Sequence, residues 1–191
     1  MQKARHLFIA GPNRPLGVSL IELLVVIAVL AVLASIAIPS FAGIARQYRV
    51  NAAVDEFMAS VQLARVDAMR LGQDILIQRQ TSCDVVLPTT ADWDCGWRVF
   101  VDLNGNQLPD PAEAELQSVA LPTGIRLVKA KGGGSPQYIT INRYGQVTAI
   151  GQRFAAFPAG MDDLSGQLIC FSTGTRLRTV KGAKTCPDEG K

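Results

Sequence analysis

From residue 23 to residue 34 the chain contains only Leu, Val, Ile and Ala, and no charged residue stands between Glu22 and Arg46. A stretch apolar on every side and this long predicts a helix able to cross a bilayer, which takes roughly 20 residues. Beyond Arg46 the pattern changes. Val50, Val54, Phe57, Val61, Ala64, Ala68 and Leu71 recur at alternating spacings of four and three, so they share one helix face. Arg49, Glu56, Asp67 and Arg70 fall outside that stripe. The two patterns predict one helix from residue 18 to about 72, ended by Gly72. Its first half suits lipid or a fibre core, and its second half should pack on a sheet. Pro39 and Gly43 mark the junction, where a kink or local loosening is expected.

After Gly72 the period shortens. Residues 74–80 read as a first strand, 85–87 as a second, and 96–102, rich in aromatic and β-branched side chains, as a third. Residues 116–121 and 125–130 flank a Pro-Thr-Gly turn, and Gly132-Gly133-Gly134-Ser135-Pro136 breaks the chain. Strands at 138–142 and 146–149 enclose Arg143-Tyr144-Gly145. Strands at 167–172 and 176–180 enclose Thr173-Gly174-Thr175. A long helix followed only by short strands implies an α+β fold, the helix lying across one mostly antiparallel sheet.

Charge sharpens the N-terminal reading. Lys3, Arg5 and Arg14 precede the apolar run and no acid does, so that end stays in the cytoplasm and the rest crosses. The formal charge of the 191 residues is +3, and these three cations account for it; the remainder is neutral. Glu22 does not fit a plain anchor: a carboxylate at a helix centre in lipid costs about 2.5–3.5 kcal/mol, and less near the interface. It either lies at headgroup level or has a cationic partner. Cutting after Gly17 would supply one, a free ammonium on Val18, four residues before Glu22.

In an exported domain the four cysteines point to two disulfides, for which three pairings exist. Cys83 with Cys95 and Cys170 with Cys186 are favoured because each closes a short loop. No Cys or His spacing suits zinc, and the only histidine, His6, precedes the apolar run.

Gly17-Val18-Ser19-Leu20-Ile21-Glu22, behind a basic leader and before the apolar run, resembles the class III signal of type IV pilins and type II secretion pseudopilins. The resemblance implies cleavage after Gly17 by a prepilin peptidase and N-methylation of Val18, a position where Phe is usual. It makes Glu22 the fifth mature residue and gives Pro39 the place of a proline common in these proteins. Residues 54–70, with Leu63-Ala64-Arg65 and Asp67-Ala68, then a strand, a cysteine and Gly96-Trp97-Arg98-Val99-Phe100, are similar to the GspH/FimT subfamily. The implied plan is a leader at 1–17, a transmembrane and assembly half-helix at 18–45, an amphipathic half at 46–72 and a β-rich domain at 73–191, in a pilin fold.

Two constellations carry candidate chemistry. Residues 102–113 place Asp102, Asn104, Asn106, Asp110 and Glu113 near the spacing of a calcium-binding loop, but Gln107 stands where glycine is expected. A polar β-turn explains the same residues, and no metal is assigned. Asp92, Asp94 and Glu115 join these carboxylates in an acidic region opposed by Arg98 alone. The second constellation is basic: Arg176, Arg178, Lys181 and Lys184, followed by no acid until Asp188. Within the subfamily, proteins that bind DNA in natural transformation carry Gly-Arg-x-Arg near the C-terminus. Gly174-Thr175-Arg176-Leu177-Arg178 is similar, with Thr175 interposed. The same charges would also keep an exposed strand soluble and unpaired. Arg126, Lys129 and Lys131 are further candidates if folding brings them near.

No nucleophile motif, phosphate loop or dinucleotide fingerprint is present, so neither an enzyme nor a cofactor is expected. The expected role is a minor type IV pilin that binds duplex DNA irrespective of sequence. The alternatives are a structural or initiating minor pilin, and a type II secretion pseudopilin that contacts exported proteins. Expected partners are other pilin subunits and the inner-membrane assembly machinery. The chain would sit in the inner membrane with its C-terminal domain in the periplasm, and afterwards in the fibre.

Overall fold

The computed structural model describes residues 17–131, 134–148, 151–172 and 176–187, leaving aside the side chains at 39, 40, 131 and 163. The chain divides into two units, Met1–Ala42 and Gly43–Lys191. Helix α1 (Leu20–Leu71) begins in the first, and Pro39 and Gly43 lie within its bounds.

In the second unit α1 contributes Val50, Val54, Phe57, Val61, Ala64 and Ala68, all buried, to the core. Ala53 and Ser60 are buried beside them, while Leu71, counted in the stripe from sequence, is 39% exposed. The helix ends where Gly72 turns to a φ of +66° and its N–H donates to the Ala68 carbonyl at 2.9 Å. Glycine takes that left-handed conformation at no steric cost.

Among the described residues eight strands follow: β1 (Asp74–Arg79), β2 (Trp97–Asp102), β3 (Glu115–Val119), β4 (Ile125–Lys131), β5 (Tyr138–Ile141), β6 (Arg153–Pro158), β7 (Gln167–Phe171) and β8 (Leu177–Lys181). They form two four-stranded sheets rather than the single sheet expected. The first has the order β3-β2-β1-β5, the second β4-β6-β7-β8. Every strand pairing is antiparallel. Inward-facing residues of both sheets join the helix stripe in one core: Ile75, Ile77, Trp97, Val99, Ile139 and Ile141 from the first, and Ile125, Leu127, Phe154, Ala156, Ile169 and Phe171 from the second.

The strand expected at 85–87 does not form. That segment belongs to the loop closed by Cys83 and Cys95, and Val86 is 85% exposed; the loop pairs with β4 only further on, where Asp92 bridges Val128. Of the strand expected at 146–149, Val147 makes one isolated bridge to Ile141, and residue 149 lies outside the described residues. Conversely, β6 was not anticipated, although it joins β4 to β7 at the middle of its sheet. Its sequence Arg-Phe-Ala-Ala-Phe-Pro is covered on both faces, so it lacks the alternation of a half-exposed strand.

Phe57 joins the layers. Its ring meets Trp97 edge-on at 5.1 Å, Trp93 edge-on at 6.0 Å and Phe154 at 4.8 Å. Both indoles find acceptors: Trp97 Nε1 donates to Ser60 Oγ at 2.9 Å and Trp93 Nε1 to the Pro136 carbonyl at 2.9 Å. At Gly96 a Cβ would lie 2.0 Å from the Val119 carbonyl oxygen, so only glycine lets β2 start this close to the end of β3. Phe57→Ala should lower the unfolding free energy by about 3–5 kcal/mol, the cost of truncating a fully buried aromatic ring. The fall in urea midpoint of the full-length chain in detergent measures it; a loss under about 1 kcal/mol would contradict the role given to Phe57.

Candidate functional site

The N-terminal candidates lie on a capped helix start. Gly17 and Val18 precede α1 and are exposed. Ser19 caps the helix: its Oγ accepts from Glu22 N–H at 3.2 Å and its carbonyl from Leu23 N–H at 3.1 Å. The Ser19-x-x-Glu22 spacing is itself a capping signature, a signal the sequence reading passed over. Glu22 falls in the first turn, where the helix dipole favours a negative charge. The span Leu20–Ile38 has a mean hydropathy of 2.9 and none of it is buried within the chain. Pro39 lies within α1.

The C-terminal candidates lie on and beyond an edge strand. Arg176 directly precedes β8, Arg178 and Lys181 belong to it, and Lys184 follows it; all four are exposed. Gly174 and Thr175 of the similar motif lie outside the described residues. Side chains alternate along a strand. Leu177 packs on the main core, so Arg178 and Val180 face the outer side of the sheet. Lys181 shares the parity of Leu177, and the sheet therefore separates it from Arg178. Lys181 pairs in register with Gln167, whose amide donates to Asn51 on α1.

Cys170 on β7 is bonded to Cys186 beyond β8, and Cys83 is bonded to Cys95. Ala155, Leu168, Cys170 and Cys186, with Phe157, Val180 and Ala183 against them, form a second small core on the outer face of the second sheet. The segment carrying Lys184 is thereby held against that face.

Of the remaining candidate charges Arg126 and Lys129 are engaged elsewhere, and the side chain of Lys131 lies outside the described ones. Arg126 binds Asp92 at 2.5 Å and Asp94 at 3.0 Å, and both carboxylates are almost fully buried. Asp94 also accepts from Leu127 N–H, and Asp92 from Thr89 N–H. Lys129 is buried, its Nζ donating to the Ser135 carbonyl at 2.7 Å; burial pushes its pKa below the usual lysine value. Arg126 and Lys129 therefore do not extend the basic patch.

The loop 102–113 satisfies its own groups. Asp102 accepts from the N–H groups of Gly105 and Gln107, and Glu113 from those of Leu103 and Asp110. The amides of Asn104 and Asn106 donate to Asp110 Oδ2. Among the described residues no group of three or more His, Cys, Asp or Glu is arranged to hold a metal ion. The polar-turn reading accounts for this loop, and Gln107 itself takes a φ of +62°.

A family model described as type II transport protein GspH matches residues 53–180, and one described as the prokaryotic N-terminal methylation motif matches residues 13–38. No curated protein sequence matches significantly. Among solved structures, the fold is similar to the minor pseudopilin EpsH from the type 2 secretion system of Vibrio cholerae. That likeness has a TM-score of 0.51 and 15% identity, covering 72% of this chain and 99% of that one. It is similar also to the type IV minor pilin FimU of Pseudomonas aeruginosa, with a TM-score of 0.50 and 19% identity, covering 74% and 95%. At these identities the likeness shows the fold: a pilin fold, α+β, with an apolar N-terminal helix and antiparallel sheets.

The Cys170–Cys186 bridge spans a sequence separation of 16. Cys186→Ser should lower stability by about 3 kcal/mol on the chain-entropy model. Thermal melting of the oxidised full-length protein measures this, and an unchanged melting temperature would count against a stabilising bridge.

Proposed function

The chain belongs to the GspH family and is a minor pilin or pseudopilin, and from that premise we propose that it is a minor subunit of a type IV pilus that binds duplex DNA through its C-terminal basic edge. The observation that carries the DNA reading is the exposure of Arg176, Arg178, Lys181 and Lys184 around one edge strand, with the following segment held by a disulfide. Cations on a covalently restrained edge meet phosphates without a large ordering cost, and such contacts carry no sequence information. With Phe171 turned into the core, the patch offers no aromatic platform for stacking bases.

The assembly half of the proposal rests on the other end. The span Leu20–Ile38 is apolar and wholly unburied within the chain, so it needs lipid or neighbouring helices around it. In this reading the leader is removed after Gly17, Val18 is N-methylated, and Glu22 neutralises that terminal ammonium or a neighbour's inside the fibre. Removing one partner of a buried ion pair costs several kcal/mol, which makes subunit register specific. Pro39 lies in the same assembly segment. Before assembly the chain sits in the inner membrane, its basic leader in the cytoplasm and its β-domain in the periplasm.

Two outcomes are expected. Glu22→Ala should still insert into the membrane yet fail to enter fibres, as read by immunoblots of membrane and sheared-fibre fractions; normal incorporation would remove the role given to Glu22. The full-length protein in neutral detergent should shift the anisotropy of a labelled duplex, with log K falling linearly against log salt. Arg176→Ala with Arg178→Ala should flatten that line by about 1.8, the share of two phosphate contacts. No binding by the unaltered protein at low salt would leave the structural pilin and pseudopilin readings in place of this one.

A further inference from the structure

Arg98 is the cation that the sequence sets against an acidic region, and the fold pairs it with none of those acids. Asp92 and Asp94 bind Arg126, while Asp102, Asp110 and Glu113 are held by backbone and amide groups of their own loop. Arg98 lies on β2 between Trp97 and Val99, which both face the main core, so its side chain takes the outer face of the first sheet. There it stands in register with Ser118 on β3 and Gln78 on β1. Glu115 shares that face, opposite Phe100.

Among the described residues Arg98 makes no hydrogen bond and no ion pair. Its Nε is shut off from solvent without an acceptor, which leaves the two Nη groups to point outward. They open on a polar cleft of about 260 Å³ lined by Gln80, Thr81, Ser82, Arg98, Glu115 and Ser118. The Gln80 amide is already spent, donating to the Trp97 carbonyl at 3.0 Å and to Ser118 Oγ at 2.9 Å. Ser118 therefore keeps its own proton to donate, and the hydroxyls of Thr81 and Ser82 make no hydrogen bond.

We propose that this cleft binds a carboxylate carried by another protein chain, with Arg98 as the ion-pairing residue and Thr81, Ser82 and Ser118 as hydroxyl donors. The two Nη groups of a guanidinium match the two oxygens of one carboxylate. The buried Nε fixes the direction of the fork, so little freedom is lost on binding. Glu115, exposed beside the cleft, disfavours a doubly charged phosphate and makes no ion pair with Arg98. Small-molecule sites usually enclose about 300–1,000 Å³; this smaller cleft suits one acidic side chain or one chain end. It lies on the first sheet, away from the basic edge of the second, and owes nothing to the DNA reading.

The test uses isotope-labelled full-length protein in neutral detergent and reads the Nε–H resonance of Arg98, assigned by its loss in Arg98→Lys. Two acetylated peptides separate the sources of the carboxylate: Ala-Glu-Ala with an amidated end, and Ala-Ala-Ala with a free end. At least one of them should move the resonance saturably at about millimolar concentration, and amidated Ala-Gln-Ala should not. Thr81→Ala with Ser82→Ala, both exposed and outside the strands, should weaken that binding roughly tenfold, the effect of losing hydrogen bonds to a charged group. No saturable shift with either carboxylate peptide, or an equal shift with the glutamine peptide, overturns the proposal. Tighter binding of inorganic phosphate than of both peptides overturns it too, as does unchanged affinity in the double variant.

Discussion

The second unit depends on how one helix face fills the space between two sheets. Phe57 is fully buried and touches an indole from the first sheet, an indole from the loop before it, and a phenyl ring from the second sheet. Edge-on aromatic contacts add about 0.5–1.5 kcal/mol each beyond area burial. They also fix direction, because each ring constrains the angle of the next. Trp97 holds Ser60 on the helix through its N–H, and Ser60 in turn bonds the Glu56 carbonyl. The polar atom among these rings is therefore satisfied, and the helix cannot rotate without breaking that bond. Once the inner faces are set, strand alternation determines what the outer faces present.

This explains which parts of the fold were legible in the sequence. The helix stripe was readable because helical period and one-sided burial coincide from Val50 to Ala68; Leu71 left the pattern because the helix ends beside it. The strand β2 was readable from its aromatic and β-branched content. The strand β6 was not, since its consecutive Ala155 and Ala156 face opposite cores and erase the alternation that marks an exposed strand. The failure at 85–87 is the reverse case: apolar residues with strand propensity form no strand, and the disulfide loop that carries them meets β4 through Asp92 and Trp93 instead. Division into two sheets depends on long-range pairing, as between β1 and β5 or β4 and β6, which no local pattern records.

The same gap shaped the reading of the charges. Arg176, Arg178, Lys181 and Lys184 are neighbours in sequence, yet strand alternation turns Lys181 away from Arg178. Arg126 and Lys129 looked available, but one is occupied by two buried carboxylates and the other is itself buried. A surface built across antiparallel strands collects residues by register, and register is set by the pairing of whole strands. Sequence clustering therefore says which cations are neighbours along the strand and not which face each one takes.

Glu22 shows how a single charge can act differently in two apolar surroundings. At the first helical turn it lies near the end of the span, where lipid headgroups and water are within reach and the cost of a carboxylate is low. In the proposed fibre the same turn is packed among other helices, water is excluded, and an uncompensated carboxylate becomes expensive. The amine it needs does not exist until the leader is removed. On that reading an unprocessed chain would bring Glu22 into the fibre without an ammonium of its own, whereas a processed chain would carry one. On the proposed reading the acid would discriminate between the two forms at the step where they enter the filament.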